Sequence, residues 1–251
     1  MIDAGLSIRS VKRGFQMFGL SFSKFKAVLV THDHADHIKS VGKLASEYGL
    51  PIYATESVHE GIARNYCVNP KLKADQKTFI EKDVPFTIGD FRITAFDIMH
   101  DSTDCVGYCV EAFGIRFCLM TDVGCVTERV RKEVGSANYL VLESNHDKEM
   151  LMAGPYPAYL KERIMSDHGH LSNNEAAEIL GSSASPELKH VWLCHLSEEN
   201  NHPELARKTV DAYLRSLGII IGVDFQLEIL KRRVPSCVYE LQNEQLTFPN
   251  L

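Results

Sequence analysis

The chain has 251 residues, 45% of them hydrophobic and 24% charged, and a formal net charge of −6. That is the composition of a globular protein with ample material for a core. It excludes a membrane-spanning helix, which needs about 20 consecutive apolar residues, and it argues against broad electrostatic binding of nucleic acid. A local basic rim remains available at Lys231-Arg232-Arg233. Residues 1–7 lack the basic head and apolar stretch of a secretory signal. The seven cysteines are odd in number and form no C-x-x-C pair, so they read as buried thiols in a reducing cytosol rather than as a disulfide framework. No linker, repeat or low-complexity tract divides the sequence, which predicts one domain over 1–251 and a cytoplasmic location.

In chain order, the apolar run Ala27-Val28-Leu29-Val30 predicts a buried strand. It leads into Thr31-His32-Asp33-His34-Ala35-Asp36-His37. Side chains at i and i+2 share a strand face, so His32 and His34 can converge on one ion. Asp36 and His37, at the mouth of a following helix, can face a second ion, with Asp33 and Ala35 as spacers. Imidazole and carboxylate together suit zinc, manganese or iron better than calcium or magnesium. Ile38, Val41, Leu44 and Tyr48 then follow helical spacing up to Gly49. Residues 51–54 predict a strand. Phe86 to Phe96 predicts a hairpin turning near Gly89-Asp90, and a second hairpin joins 106–111 to 116–120 near Gly114. Further strands are expected at 139–143 and 191–194, and helices at 157–165, 173–180 and 203–217, the last closed by Gly218. Strands first in hairpins and then alternating with helices predict an α/β sandwich of helix-covered sheets.

Three more metal-competent residues stand where apolar strands end: His100 after 95–99, Asp122 after 119–121, and His195 after 191–194. This order, His, Asp, His after H-x-H-x-D-H, resembles the metallo-β-lactamase fold in its nuclease and phosphodiesterase branch, and the resemblance spans nearly the whole chain. It implies a four-layer αβ/βα sandwich with metals at one edge of the paired sheets. It also implies that His32, His34 and His100 hold a first ion, that Asp36, His37 and His195 hold a second, and that Asp122 bridges them. The stretches Leu142-Glu143-Ser144-Asn145-His146-Asp147, Ser166-Asp167-His168-Gly169-His170-Leu171-Ser172-Asn173 and Cys194-His195-Leu196-Ser197 look like the YycJ/WalJ/VicX group within that family. Members of that group are described as 5′ to 3′ DNA exonucleases, linked to cell-wall signalling and mismatch repair. The group has opening strands before its Ile-Asp-Ala-Gly segment, whereas here that segment is residues 2–5. Either the start is misplaced or the first hairpin is missing, and in the latter case one sheet is expected to keep an uncovered edge.

The implied chemistry is phosphodiester hydrolysis by a hydroxide bridging two divalent ions, zinc or manganese, with Asp36 orienting it. DNA or another phosphodiester is the expected partner. His170 is the candidate proton donor to the leaving alkoxide. Ser172 and Glu175 form a capping-box pattern, and the N–H groups of that helix would favour an anion beside His170. His146 and Ser172 are further candidates for substrate contact, His146 alternatively for support of the site. His59, His190 and His202 read as surface or helix-end residues. The 73 positions from Asp122 to His195 are too few for the inserted domain of β-CASP RNA-processing enzymes. No Gly/Pro-rich tRNA-gripping arm is visible, His34 stands where oxygen-reducing diiron relatives have an acid, and true β-lactamases lack the second-site aspartate. Two alternatives stay open: a small-molecule or cyclic-nucleotide phosphodiesterase, and a non-enzymatic regulator that keeps metals for stability.

Overall fold

A computed structural model describes residues 1–232 and 234–242; Arg233 of the predicted basic rim lies outside the described residues. Residues 1–7 lead into α1 (Ile8–Met17), and the first apolar run forms β1 (Val28–Leu29). The expected helix after the heptapeptide is two pieces, α2 (Ala35–Ile38) and α3 (Val41–Tyr48). Ser40 explains the break. Its N–H donates to the Ala4 carbonyl (2.9 Å) and its hydroxyl to the Leu6 carbonyl (2.6 Å), so the chain is tied to the N-terminal segment there. Gly49 closes α3 with a φ of +64°, a conformation only glycine adopts without cost.

β2 (Ile52–Ala54), α4 (Glu56–Arg64) and β3 (Lys77–Phe79) complete a small parallel sheet ordered β1-β2-β3. On the other side of β1, Leu29 N–H donates to the Met1 carbonyl and Asp3 N–H to the Leu29 carbonyl, both at 2.8 Å. Beyond Ile2 no described strand extends that sheet. Strand alternation sorts its residues into two faces. Val28, Val30, Ile52 and Ala54 pack outward with Ile38, Val41, Leu44, Val58 and Ile62, whereas Leu29 and Tyr53 face inward with Ile93, Ala95 and Tyr108 of the second sheet.

That second sheet begins with the predicted hairpins. β4 (Phe86–Ile88), β5 (Phe91–Asp97), β6 (Val106–Ala112) and β7 (Ile115–Met120) form an antiparallel meander. The β6–β7 turn is the two residues Phe113 and Gly114, both at positive φ (53° and 74°), as a turn matching the strand twist requires. The sheet then turns parallel: α5 (Glu128–Ser136) leads to β8 (Tyr139–Glu143), and α6 (Lys148–Ala153), α7 (Ala158–Ile164) and α8 (Asn173–Ser183) lead to β9 (His190–Cys194). Finally, α9 (Pro203–Ser216) leads to β10 (Gln226–Ile229) at the edge. The outer face, including Met120, Leu140, Leu142 and Leu193, is buried with residues of α5, α8 and α9. The layers are helix, sheet, sheet, helix. Beyond the reach of the small sheet, the inner-face residues Tyr139, Val141 and Trp192 pack with Leu230, Tyr239 and Leu241.

Three expectations need correction. Cys109 and Cys118, opposite each other across β6 and β7, are joined as a disulfide, and the other five cysteines are free. Both of the bonded pair are buried, as small hydrophobes are. His59 is not on the surface: it is 1% exposed, with Nε2 3.1 Å from the Thr78 carbonyl. His190 begins β9, stacked on Trp192 at 4.0 Å. His202 is a helix-end residue, accepting from Glu204 N–H as the cap of α9. No described helix is long and apolar enough to cross a membrane.

Candidate metal centre

The site collects residues from the same ends of several strands. His32 follows β1, His100 follows β5, Asp122 follows β7, Glu143 ends β8 and His195 follows β9. Where each chain leaves its sheet, the next side chain points out of the core and toward its neighbours. Asp3, Asp122 and His195 take positive φ (54°, 55° and 56°), a strained conformation for non-glycine residues that concentrates at functional sites. Gly5 lets the N-terminal segment lie against the heptapeptide: a Cβ there would stand 1.3 Å from the Asp36 carbonyl oxygen.

Ligands held about 2.1 Å from one ion in a tetrahedron stand roughly 3.4 Å from each other. His100 Nε2 lies 3.3 Å from His34 Nδ1, and His32, His34 and His100 form one compact group. Asp36, His37 and His195 form another, with Asp36 Oδ2 3.8 Å from Nε2 of both histidines. Asp122 stands between them. Its Oδ1 is 3.6 Å from His100 Nε2, and its Oδ2 is 3.4 Å from His37 Nε2. All seven residues expected from the sequence as ligands are brought together.

The outer contacts fix which ring nitrogen faces inward. Nδ1 of His32 meets the Thr31 hydroxyl (3.0 Å), Nδ1 of His37 meets Asp3 Oδ2 (2.8 Å), Nδ1 of His100 meets the Gly169 carbonyl (3.1 Å), and Nδ1 of His195 meets Glu143 Oε1 (2.8 Å). Each therefore directs Nε2 inward, as metal-binding histidines held by an outer acceptor do. The test of fit is His32: its Nε2 is buried without a hydrogen-bond partner. An unpaired buried ring nitrogen costs stability unless something occupies it, and a divalent ion among His32, His34 and His100 satisfies it. Without an ion the charges are strained in opposite directions. Burial, then the neighbouring histidines, push His32 well below its usual range. For His37, burial is outweighed by Asp3 and Asp122, which raise it to about 9. The nearby imidazoles of His195 and His37 hold the Asp36 carboxyl well below its usual range.

Two residues that carry much of this arrangement were not singled out by sequence reasoning as site residues. Asp3 accepts from Thr31 N–H and the Thr31 hydroxyl (both 2.8 Å) as well as facing His37, so one carboxylate steers both halves of the heptapeptide. Glu143, fully buried, takes Val123 N–H (2.8 Å) and Leu171 N–H (3.1 Å) on Oε2, while Oε1 faces Nδ1 of both His170 (2.9 Å) and His195. Burial favours its neutral form, but the two imidazoles prevail and hold it ionised. The only sequence signal for either was an acid at the start or end of an apolar run. Asp33, expected as a spacer, instead accepts from Thr103 N–H (3.1 Å) and its hydroxyl (2.7 Å), pinning the loop after His100.

A cleft of about 870 Å³ opens over the centre, lined by Asp36, His37, His170 and His195, by Tyr156, Leu160 and Arg163 on one wall, and by Lys231 and Arg232. His170 lies at its floor. Burial lowers its basicity, but Glu143 more than compensates and raises it. Ser172 and His146 do not line the cleft. Ser172 is fully buried and its hydroxyl is committed to the capping box with Glu175. His146 is 1% exposed, with both ring nitrogens unpaired and its carbonyl accepting Asn173 N–H (2.8 Å). Because Asn173 N–H and Glu175 N–H are used internally, the start of α8 is not the anion site its sequence suggested.

A helix-covered double sheet with histidines and aspartates at its strand ends defines a class of metal-dependent hydrolases. Residues 1–195 match the family model described as the β-lactamase superfamily domain, and the chain belongs to that family. Within it, the chain is 36% identical over 236 residues to exodeoxyribonuclease YycJ of Bacillus anthracis, covering 94% of this chain and 88% of that protein. It is equally 36% identical over 227 residues to exodeoxyribonuclease WalJ of Streptococcus pneumoniae, covering 90% and 84%. Among solved structures, the metallo-β-lactamase fold protein YhfI of Bacillus subtilis superimposes with a TM-score of 0.64 at 22% identity, over 92% of this chain and 83% of that one. Zinc-bound PqqB of Methylobacterium extorquens gives 0.63 at 19% identity, over 91% and 80%.

Proposed function

We propose that the protein is a dinuclear metal-dependent exodeoxyribonuclease working 5′ to 3′. The observation that carries this reading is Asp122, whose carboxylate lies within 3.6 Å of histidines of both candidate groups: Oδ1 is 3.6 Å from His100 Nε2 and 3.5 Å from His195 Nδ1, and Oδ2 is 3.4 Å from His37 Nε2. His32, His34 and His100 would hold one ion; Asp36, His37 and His195 would hold the other. Such ions lower the pKa of bound water toward about 7 and neutralise charge building up on a phosphoryl group. Asp36, the most exposed of these residues at its side chain (70%), orients the attacking water from the open side. His170, held by Glu143 through Nδ1 and favoured in its protonated form, presents Nε2 to the cleft and gives its proton to the leaving oxygen. Similarity to YycJ and WalJ supports DNA as the polymer.

A second reading, a small phosphodiester as substrate, is favoured by one observation. Glu198 and Glu199 line the same cleft as Lys231 and Arg232, which moderates its positive charge. Protein loaded with zinc or manganese is incubated with single- and double-stranded DNA labelled at either end, and with bis-p-nitrophenyl phosphate. Progressive loss from the 5′ end that disappears in His32→Ala supports the exonuclease. Turnover of the small ester alone supports the second reading.

A further inference from the structure

We propose that Asp101 is a positioning residue for the first ion: it orients His34, and Arg163 holds it in place. The inference rests on the two-ion reading above. Four of the five candidate histidine ligands direct Nε2 inward and hold Nδ1 on an outer acceptor, namely Thr31, Asp3, the Gly169 carbonyl or Glu143. His34 is the reverse. Its Nδ1 is the inner atom, 3.3 Å from His100 Nε2. The carboxylate beside its Nε2 is Asp101, with Oδ1 3.9 Å away.

His34 also needs an orienting partner most. Its side chain is 33% exposed, against 9% for His37 and 1% for His100, so packing constrains it least. Asp101 is itself fixed: its N–H donates to the His168 carbonyl (3.1 Å), and its Oδ2 receives Arg163 Nε from α7. Oδ1 also stands 3.5 Å from His100 Nε2, which keeps the carboxylate beside the first group. A wall of the substrate cleft is thereby connected, through one ion pair, to the most loosely packed histidine of the centre.

The test is a competition titration of zinc and of manganese against a chromophoric chelator, with stoichiometry by elemental analysis and the cobalt-substituted absorption spectrum as a second readout. Wild-type protein binds two ions; if it binds fewer, the two-ion reading fails and the proposal falls with it, a result seen before any substitution is made. Removing an outer partner of a ligand histidine costs about 10–100-fold in affinity. Asp101→Asn therefore weakens the first of two resolved sites by that factor and changes the cobalt spectrum, while the second site and the circular dichroism melt stay at wild-type values. Asp101→Glu recovers part of the loss, and Arg163→Gln produces a smaller loss at the same site. Two sites of wild-type affinity in Asp101→Asn, or equal weakening of both, overturn the proposal.

Discussion

The centre is built from two regions assembled in different ways. The heptapeptide half, His32, His34, Asp36 and His37, is contiguous in sequence and is steered by residues 1–5 through Asp3. The strand-end half, Asp122, Glu143, His170 and His195, is scattered over more than seventy positions and is steered from within by Glu143. In the first, local geometry places the side chains and the outer contacts refine them. In the second, only the register of β7, β8 and β9 brings them together. A contiguous site tolerates loss of one outer partner better than a scattered one, since its backbone already fixes the spacing.

Substitutions can break or sharpen that contrast. The largest effect is expected at the residue joining the halves: on the two-ion proposal, Asp122→Asn lowers kcat/KM by about 10³-fold or more, read on labelled DNA, because Asp122 would be the charge shared by both ions. In the strand-end half, His170→Ala lowers kcat by about 10²-fold with KM little changed, the signature of a lost proton donor. Glu143→Gln follows at about 10–100-fold, with weaker binding at the second ion in the chelator titration and altered pH dependence of kcat. Asp3→Asn, the counterpart in the heptapeptide half, costs about tenfold. A cost equal to that of Glu143→Gln would erase the distinction between the regions.

The smallest effect lies outside both. Ser172→Ala removes the cap of α8 and lowers unfolding stability by about 1 kcal/mol in urea titrations. Glu175, its capping partner, is opposed by burial but held below its usual 4.5 by the Ser172 hydroxyl and N–H. The stability it contributes is present above pH 4.5 and is lost as pH falls through its lowered folded-state value. Ser172→Ala therefore narrows its gap from wild type as the pH of the melt is lowered.

The same division explains what the sequence reveals. His32, His34, Asp36 and His37 announce themselves by spacing, and His100, Asp122 and His195 by standing at strand ends in a family order. Glu143 also ends a strand, but its partners lie 20 to 52 positions away, so nothing local distinguishes it from an ordinary terminal acid. Ser172 illustrates the opposite error: its pattern correctly predicts a cap, and the cap then leaves nothing for substrate. The helix-covered sheets were legible from the order of strands and helices, and their four layers from the family resemblance. The short α2, the break at Ser40 and the pairing of residues 1–3 with β1 were not, because each depends on a contact with a distant backbone group.

Glu143 Oε1 serves two imidazoles at once, one expected to hold an ion and one expected to move a proton. The basicity of each ring is therefore a function of the other's charge. If His170 gives up a proton as proposed, the carboxylate would be freer to accept from His195 Nδ1, making Nε2 of that ring the more basic one. The proton donor and the ligand are a single adjustable unit, so a substitution that retunes one of them for a new substrate or pH also retunes the other.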